Sequence, residues 1–394
     1  MKRRTGPVVI VGAGQAAAAL ARGLRENGFA GSIRMLGEEP QPPYERPPLS
    51  KQVLIEGRAP DALWLLGDDA QRAQGVTLST STRVTAIDRA AREVMTDAGE
   101  VIPYETLVLA TGGTARGLPD LPVDGRRVFE LRTLSDALSL HAALPGARRV
   151  LVIGGGWLGL EVAAAIRQQG LEVTLAEAAP RLCARSAPSE VSEYLLELHR
   201  GHGVDVRLGA CVQPVLGEDG LTLPPDAQPY DLAVVAVGIA ARDELAVAAG
   251  LPTADGVLTD CNGATADPDI FAIGDVARLC ASAAGPGLRL ESWRHAETQA
   301  RLAAAAIVGE PRDYDEPAWF WSDQFGRLIQ IAGLPDPDLE LMDAEAGEKP
   351  VWRYGRNGAV AAVIGVDRAR DVRMAQRALP TLASRMAAAN GRAS

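Results

Sequence analysis

Two uninterrupted apolar runs, each ending in glycines and followed by a helix-forming stretch, lay out the plan of the chain. Val8-Val9-Ile10-Val11 leads into Gly12-Ala13-Gly14 and an alanine-rich segment from Gln15, and Val150-Leu151-Val152-Ile153 leads into Gly154-Gly155-Gly156 and a segment from Trp157. Apolar runs without alternation predict strands buried on both faces, as in a parallel sheet covered by helices. The pattern repeats further along. Tyr104-Glu105-Thr106-Leu107-Val108-Leu109-Ala110-Thr111-Gly112 echoes Tyr230-Asp231-Leu232-Ala233-Val234-Val235-Ala236-Val237-Gly238, each a buried strand ending in a turn and each following its own glycine unit. A third such segment, Asp269-Ile270-Phe271-Ala272-Ile273-Gly274-Asp275, comes after the second copy, and if it completes the first domain that domain is discontinuous. The expected fold class is α/β, with two Rossmann-like dinucleotide-binding domains and a smaller C-terminal α+β domain. The expected limits are 1–113 with 241–318, then 114–240, then 319–394.

Strand, glycines and helix in that order form a dinucleotide fingerprint with its structural context. In the first copy Gly12 allows the tight turn, Gly14 lets backbone approach a pyrophosphate, and small Ala17 lets helix and strand pack closely, with phosphate at the positive helix end. An acid is expected at the end of the next strand to hold a ribose hydroxyl pair, and Ser32-Ile33-Arg34-Met35-Leu36-Gly37-Glu38-Glu39 supplies Glu38, with Glu39 the second choice. In the second copy, Gly154, Gly156, Leu158 and Gly159 make the fingerprint, and Glu177 occupies the place of Glu38. A carboxylate there accepts from a 2′-hydroxyl and repels a 2′-phosphate, so NADH is expected over NADPH, with Arg181 four residues on able to soften the preference. Two dinucleotides held at once suit hydride transfer between a nicotinamide and a flavin.

Composition narrows the setting. The chain has 394 residues, 47% of them hydrophobic and 23% charged, and no stretch apolar enough to span a bilayer. Met1-Lys2-Arg3-Arg4 before an apolar run imitates a signal peptide, but Gly12 and Gly14 interrupt that run and cleavage near Ala19 would remove the first fingerprint, so a cytoplasmic location is expected. Cys183, Cys211, Cys261 and Cys280 lie nineteen or more positions apart, which excludes a redox dithiol or metal site local in sequence and leaves buried free thiols as the expectation. A net charge of −10 argues against nucleic acid as a partner.

The segment Pro42-Pro43-Tyr44-Glu45-Arg46-Pro47-Pro48-Leu49-Ser50-Lys51 stiffens a loop with prolines and delivers one of only three lysines in an arginine-rich chain. With the fingerprints, the Ala110-Thr111-Gly112 and Gly274-Asp275 turns, and Trp319-Phe320-Trp321-Ser322-Asp323-Gln324, this loop resembles the FAD-dependent ferredoxin reductases of bacterial Rieske-type oxygenase and cytochrome P450 systems, the putidaredoxin-reductase-like and biphenyl-dioxygenase-reductase-like proteins. The resemblance runs from about residue 7 to about residue 380. Its glycine motifs belong to the wider disulfide-reductase-like superfamily, whereas the proline loop and the tryptophan motif are specific.

The resemblance implies that FAD occupies the first fingerprint and NADH the second. It places Lys51 beside the flavin N5 edge, paired with Glu161, where an ammonium stabilises charge developing as hydride arrives. Asp275 is implied at the ribityl chain and Trp293 at the pyrimidine end, a core tryptophan being the other reading of the latter. Ala16, Arg46, Val84, Thr111, Gly112 and Arg132 are implied as further FAD contacts. Trp157 would cover the flavin face until nicotinamide displaces it, and Gly238 would line the nicotinamide pocket. His295 reads as a helix-start residue rather than a proton donor, and His141, His199 and His202 carry no constellation.

Relatives that reduce disulfides or peroxides carry cysteines where this chain has Arg46 to Lys51, so the implied acceptor is external: an iron-sulfur ferredoxin, of [2Fe-2S] type, taking electrons singly. Residues 349–394 hold nine basic residues against Asp367 and Asp371, a local +7 that suggests steering of an acidic ferredoxin to this end, with a solvated arginine-rich helix as the alternative. Trp319 and Trp321 either pack a domain interface or lie at the docking surface. Rubredoxin reduction, NADH oxidation by oxygen, and a non-catalytic NADH-sensing switch resembling apoptosis-inducing factor remain open as other functions.

Overall fold

Val8–Val11, apolar and buried at every position, lies third in a five-stranded parallel sheet. The structure, a computed structural model, describes residues 3–58, 63–209, 215–217, 220–223, 228–279, 287–335 and 339–384. Thr106–Leu109 and Ile33–Leu36 flank the opening strand, with Ile270–Ala272 and Val76–Ser79 at the edges. Two helices, Gln15–Glu26 and Trp293–Ile307, cover one face and meet through small side chains; Ala17, Ala300, Ala303 and Ala304 share a buried cluster with Ile10, Met35 and Phe271. On the other face Val9, Val11 and Leu107 pack against Val84, Val94 and Ile102 of a three-stranded antiparallel sheet.

The second fingerprint strand repeats this position. Arg149–Ile153 also lies third in a five-stranded parallel sheet, between Glu172–Glu177 and Leu232–Val235, with Asp205–Leu208 and Val128–Phe129 outside them. Helices Trp157–Gln168 and Ser189–Gly201 pack on the face carrying Val150 and Val152. Gly12 and Gly154 share the same φ of 109°, a left-handed conformation that glycine adopts without strain, and a Cβ on either would run into the carbonyl of Ala110 or Ala236. The internal repeat read from the sequence is thus a repeat of backbone geometry.

Between the two sheets the chain passes out through Gly113–Ala115 and back through Ile239–Ala241, and these connections pair antiparallel with each other. The Thr111 hydroxyl donates to the Arg242 carbonyl oxygen at 2.7 Å, tying the start of one crossing to the end of the other. Because Ile270–Ala272 adds to the sheet of Val8–Val11, the first unit is built from both sides of the insertion.

The last unit is a five-stranded antiparallel sheet, Trp319–Gln324, Arg327–Gly333, Glu340–Glu345, Val351–Arg356 and Ala359–Val366, followed by helix Ala369–Gln376. Ile329, Ile331, Tyr354 and Ile364 join Leu160, Ile166 and Leu195 in one apolar cluster, which fastens this sheet to the helices of the second unit. Each such side chain taken from water contributes roughly 1.5–3 kcal/mol.

Two sequence expectations are corrected here. The basic surplus at 349–394 is largely neutralised, because the acidic strand Glu340–Glu345 pairs with Val351–Arg356: Arg353 bridges Asp343 and Glu345, and Arg368 bridges Glu345 and Asp371. The whole segment 319–394 carries ten basic and nine acidic side chains, so a window beginning at 349 counted arginines without the acids folded against them. Arg385 and Arg392 lie outside the described residues. Among the cysteines, Cys183 is a buried free thiol but Cys261 is disulfide-bonded, against the expectation of free thiols; Cys211 and Cys280 lie outside the described residues. No helix among the described residues is long and apolar enough to cross a membrane.

Gly159 faces Gly154 so closely that an added Cβ would meet the Gly154 carbonyl, whereas Gly156 opens on free space. Gly159→Ala is expected to cost about 1–3 kcal/mol of stability through overpacking. Thermal unfolding checks this: Gly156→Ala should shift the melting temperature less than half as much.

Candidate functional site

Both fingerprint helices begin without a side-chain cap and without an acid in the first turn, with Gly14 and Gly156 as their cap residues. Their first N–H groups are therefore left unpaired at the positive end of a helix dipole, the arrangement that receives phosphate. Nothing lies within 4 Å of a Cβ placed on Gly14 or Gly156, so a pyrophosphate can approach the backbone. A continuous cavity of ≈ 1400 Å³ joins the two cradles. The residues present fit two dinucleotides.

The cavity brings together most of the residues expected from the sequence. Gly12, Gly14, Ala16, Glu38, Arg46, Lys51, Val84, Thr111, Gly112, Arg132, Asp275 and Trp293 line it on the side of the first fingerprint. Gly154, Gly156, Trp157, Leu158, Glu161, Glu177 and Gly238 line it on the side of the second. Ala17 and Gly159 do not: both sit behind the wall, where their small size lets the helix pack on its strand, so they serve the site by packing and not by contact.

Of the two candidate ribose acids in the first unit, Glu39 is consumed internally. Its carboxylate accepts from Tyr44 Oη at 2.5 Å and pairs with Arg46 Nη2 at 2.6 Å. Glu38 lies at the cavity edge, held by Arg242 at 2.7 Å and Arg83 at 3.7 Å. In the second unit Glu177 accepts from the backbone N–H groups of Gly155, at 2.5 Å, and Ala179, at 2.7 Å, which anchors its carboxylate in the cradle. Arg181 is turned away: its guanidinium donates to the carbonyls of Ala184 and Ala187 and to Ser192 Oγ, so it is not free to meet a 2′-phosphate.

At the centre, Lys51 Nζ lies 2.7 Å from Glu161 Oε2. Glu161 is 8% exposed and also accepts from Ser50 Oγ at 2.5 Å and Ser322 Oγ at 2.7 Å. Arg132 and Asp275 pair across the cavity at 2.8 Å, and Arg46 donates to the Arg132 carbonyl oxygen. Trp157 donates from Nε1 to Ser186 Oγ at 2.9 Å and leans on Phe320, 5.2 Å between ring centres. Trp293 opens its helix and meets Trp321 edge-on at 5.8 Å, with Trp319 stacked 5.1 Å beyond. All three tryptophans line the cavity and are half-buried, so Trp293 is a wall residue rather than core, and Trp319 and Trp321 pack the join between the last unit and the first.

Sequence reasoning overlooked Arg185. Seven cationic side chains other than histidine line the cavity, and six are ion-paired: Arg46, Lys51, Arg83, Arg132, Arg242 and Arg289. Arg185 makes no hydrogen bond or ion pair among the described residues, and its guanidinium lies 3.2 Å from where a Cβ on Gly238 would be. No spacing rule distinguishes it from the paired arginines; only the fold shows which cation is left over.

The fold and this cavity define a two-nucleotide oxidoreductase. The chain belongs to the pyridine nucleotide-disulphide oxidoreductase family, whose model matches residues 6–300, and a Reductase C-terminal model matches residues 319–391. It is 40% identical over 371 residues to a probable ferredoxin reductase of Castellaniella defragrans, covering 91% of this chain and 90% of that protein. It is 39% identical over 385 residues to the ferredoxin–NAD(+) reductase component of the anthranilate 1,2-dioxygenase system of Burkholderia cepacia, covering 94% and 93%. The covalent putidaredoxin reductase–putidaredoxin complex matches in structure with a TM-score of 0.88 at 35% identity, over 94% of this chain and 92% of that one.

His295, third residue of the helix that Trp293 opens, is buried against Tyr314, and His199 is buried beside Gln324. Burial pushes both imidazoles down to about 4, which keeps them neutral; His295 stands in the first turn of its helix, its backbone N–H donating to Ser292 Oγ, and it also lines the cavity. An unfolded histidine titrates near 6.5, so the unfolded chain binds more protons between pH 6.5 and 4 and stability falls as pH drops through that window. The melting temperature should decline over this range, and calorimetry at pH 5.5 should record uptake of roughly two protons per chain from this pair on unfolding.

Proposed function

We propose that this chain is a cytoplasmic NADH:ferredoxin oxidoreductase that holds FAD at the first fingerprint and NADH at the second, and delivers electrons singly to a [2Fe-2S] ferredoxin serving an oxygenase or cytochrome P450. The observation that carries this reading is the pair of equivalent cradles opening on one cavity with the Lys51–Glu161 pair between them. When bound, the flavin accepts two electrons as hydride and releases them one at a time.

The chain's own residues supply binding, orientation and charge. The unpaired N–H groups at Gly14 and Gly156 receive the two pyrophosphates. Glu38 and Glu177, at or just past the end of the strand that follows each fingerprint helix, accept from ribose hydroxyls. Lys51 presents an ammonium to the cavity, fixed by Glu161 Oε2 at 2.7 Å and the Pro47 carbonyl at 3.2 Å, where it stabilises negative charge that grows during reduction. Arg185, which makes no hydrogen bond or close ion pair among the described residues and only feels the charge of Glu291, is suited to the pyrophosphate of the nicotinamide coenzyme. Trp157, wedged between Ser186 and Phe320, shields the hydride path from water. No cysteine stands in the Arg46–Lys51 loop to take the electrons onward, which is why the acceptor lies outside the chain.

A panel of ferredoxins in an NADH-dependent cytochrome c reduction assay tests this. Acceleration by a [2Fe-2S] ferredoxin is expected; acceleration by rubredoxin or oxygen alone, or a long-lived NADH complex without turnover to an artificial one-electron acceptor, overturns it. Glu177→Gln should narrow the ratio of kcat/KM between NADH and NADPH, since Arg181 offers no competing cation. Arg185→Gln should raise KM for NADH by roughly tenfold or more, the loss of one charge-assisted hydrogen bond, while leaving flavin content unchanged.

A further inference from the structure

Glu161 is held from three units at once. Ser50 and Lys51 come from the proline loop of the first, Glu161 itself from the helix Trp157–Gln168 of the second, and Ser322 from the strand Trp319–Gln324 that opens the last. Behind Ser322 the contacts continue. Gln324 Nε2 donates to Ser322 Oγ at 2.9 Å, and Gln324 Oε1 meets His199 Nε2 at 2.9 Å. Ser322, Gln324 and His199 are at most 1% exposed. Phe325 packs edge-on against the His199 ring at 5.1 Å.

The protons in this line have one consistent arrangement. A carboxylate paired with an ammonium only accepts, so the Ser322 hydroxyl must point its hydrogen at Glu161 Oε1. Ser322 Oγ then accepts, which requires the amide nitrogen of Gln324 to face it. The amide oxygen is thereby turned to His199, whose Nε2 must carry the hydrogen. Neutral imidazole satisfies this, in keeping with the burial that pushes His199 down to about 4. Every donor is directed toward Glu161. An amide in the middle cannot relay a proton without tautomerising, so the line serves to orient and not to conduct.

We infer that Ser322, backed by Gln324 and His199, is a positioning residue of the hydride-transfer site: it fixes the Glu161 carboxylate and, through Glu161, the Lys51 ammonium, so that the last unit of the chain completes the site between the other two. A buried carboxylate with one oxygen unpaired would turn toward other donors and take Lys51 with it. The inference rests on the reading that Lys51 works at the flavin edge.

The test compares Ser322→Ala, Ser322→Thr and Lys51→Met in the flavin-loaded protein, by stopped-flow reduction with NADH and by the flavin midpoint potential. Ser322→Ala should slow flavin reduction about tenfold with KM for NADH within twofold, and shift the reduced-to-oxidised equilibrium about tenfold toward oxidised, which is about 30 mV for a two-electron couple. Ser322→Thr, which restores the hydroxyl, should return both within twofold. Gln324→Met, one step further back, should act in the same direction by about threefold and decides the matter if Ser322→Ala does not fold. A lowered melting temperature with potential and reduction rate at wild-type values would make the line merely structural and overturn the inference. If Lys51→Met itself leaves potential and rate unchanged, the reading of Lys51 fails instead, and the two failures are told apart.

Discussion

A charge placed out of water at the meeting of three folded units is the constraint on which this molecule turns. Glu161, at 8% exposure, would cost several kcal/mol if left unpaired. Its compensation comes from Lys51 and Ser50 on one side and Ser322 on the other. None of these partners lies in its own unit, so the cost of burial is offset only when all three units are in register. The apolar cluster joining Ile329 and Ile364 to Leu160 and Leu195 supplies attraction between the units but little direction, whereas the hydrogen bonds to Glu161 supply direction.

Around that centre, the cavity is a balance of ion pairs with planned exceptions. Arg132 faces Asp275, and Arg242 and Arg83 face Glu38, so much of the wall is neutral in sum. Positive potential remains at the two uncapped helix starts and at Arg185, the places where anionic groups of a dinucleotide can be received without displacing a protein carboxylate. The same accounting explains the C-terminal sheet. Its arginines are matched by the acidic strand Glu340–Glu345, so long-range steering has little net charge to draw on there.

The readable parts of the sequence were those whose physics is local. Four consecutive apolar residues before a glycine at φ 109° specify a buried strand and its turn wherever they occur, and Gly12 and Gly154 met that demand twice. The proline loop delivered Lys51, and the strand ends delivered Glu38 and Glu177, because in each case the residue's place follows from a few neighbours. Where the reading failed, the deciding partner was one that only the folded backbone brings into reach. Counting arginines from 349 missed acids that sheet pairing brings alongside, and Arg181 was credited with a reach that the carbonyls of Ala184 and Ala187 had already used.

By itself, the order of apolar and glycine residues determined that there are two equivalent cradles, since strand burial, turn sterics and helix dipoles act over a handful of residues, but it left Glu38 and Glu39 as alternatives until the fold turned Glu39 to Tyr44 and Arg46. Tertiary structure alone decided which charges are spent and which are free. Among the described residues Arg185 is left without a close ion pair, and Ser322 reaches Glu161 across 161 positions of chain only because an antiparallel sheet from the last unit docks against a helix of the second. Pairing of that kind depends on which groups are neighbours in space, and a linear pattern carries no term for it.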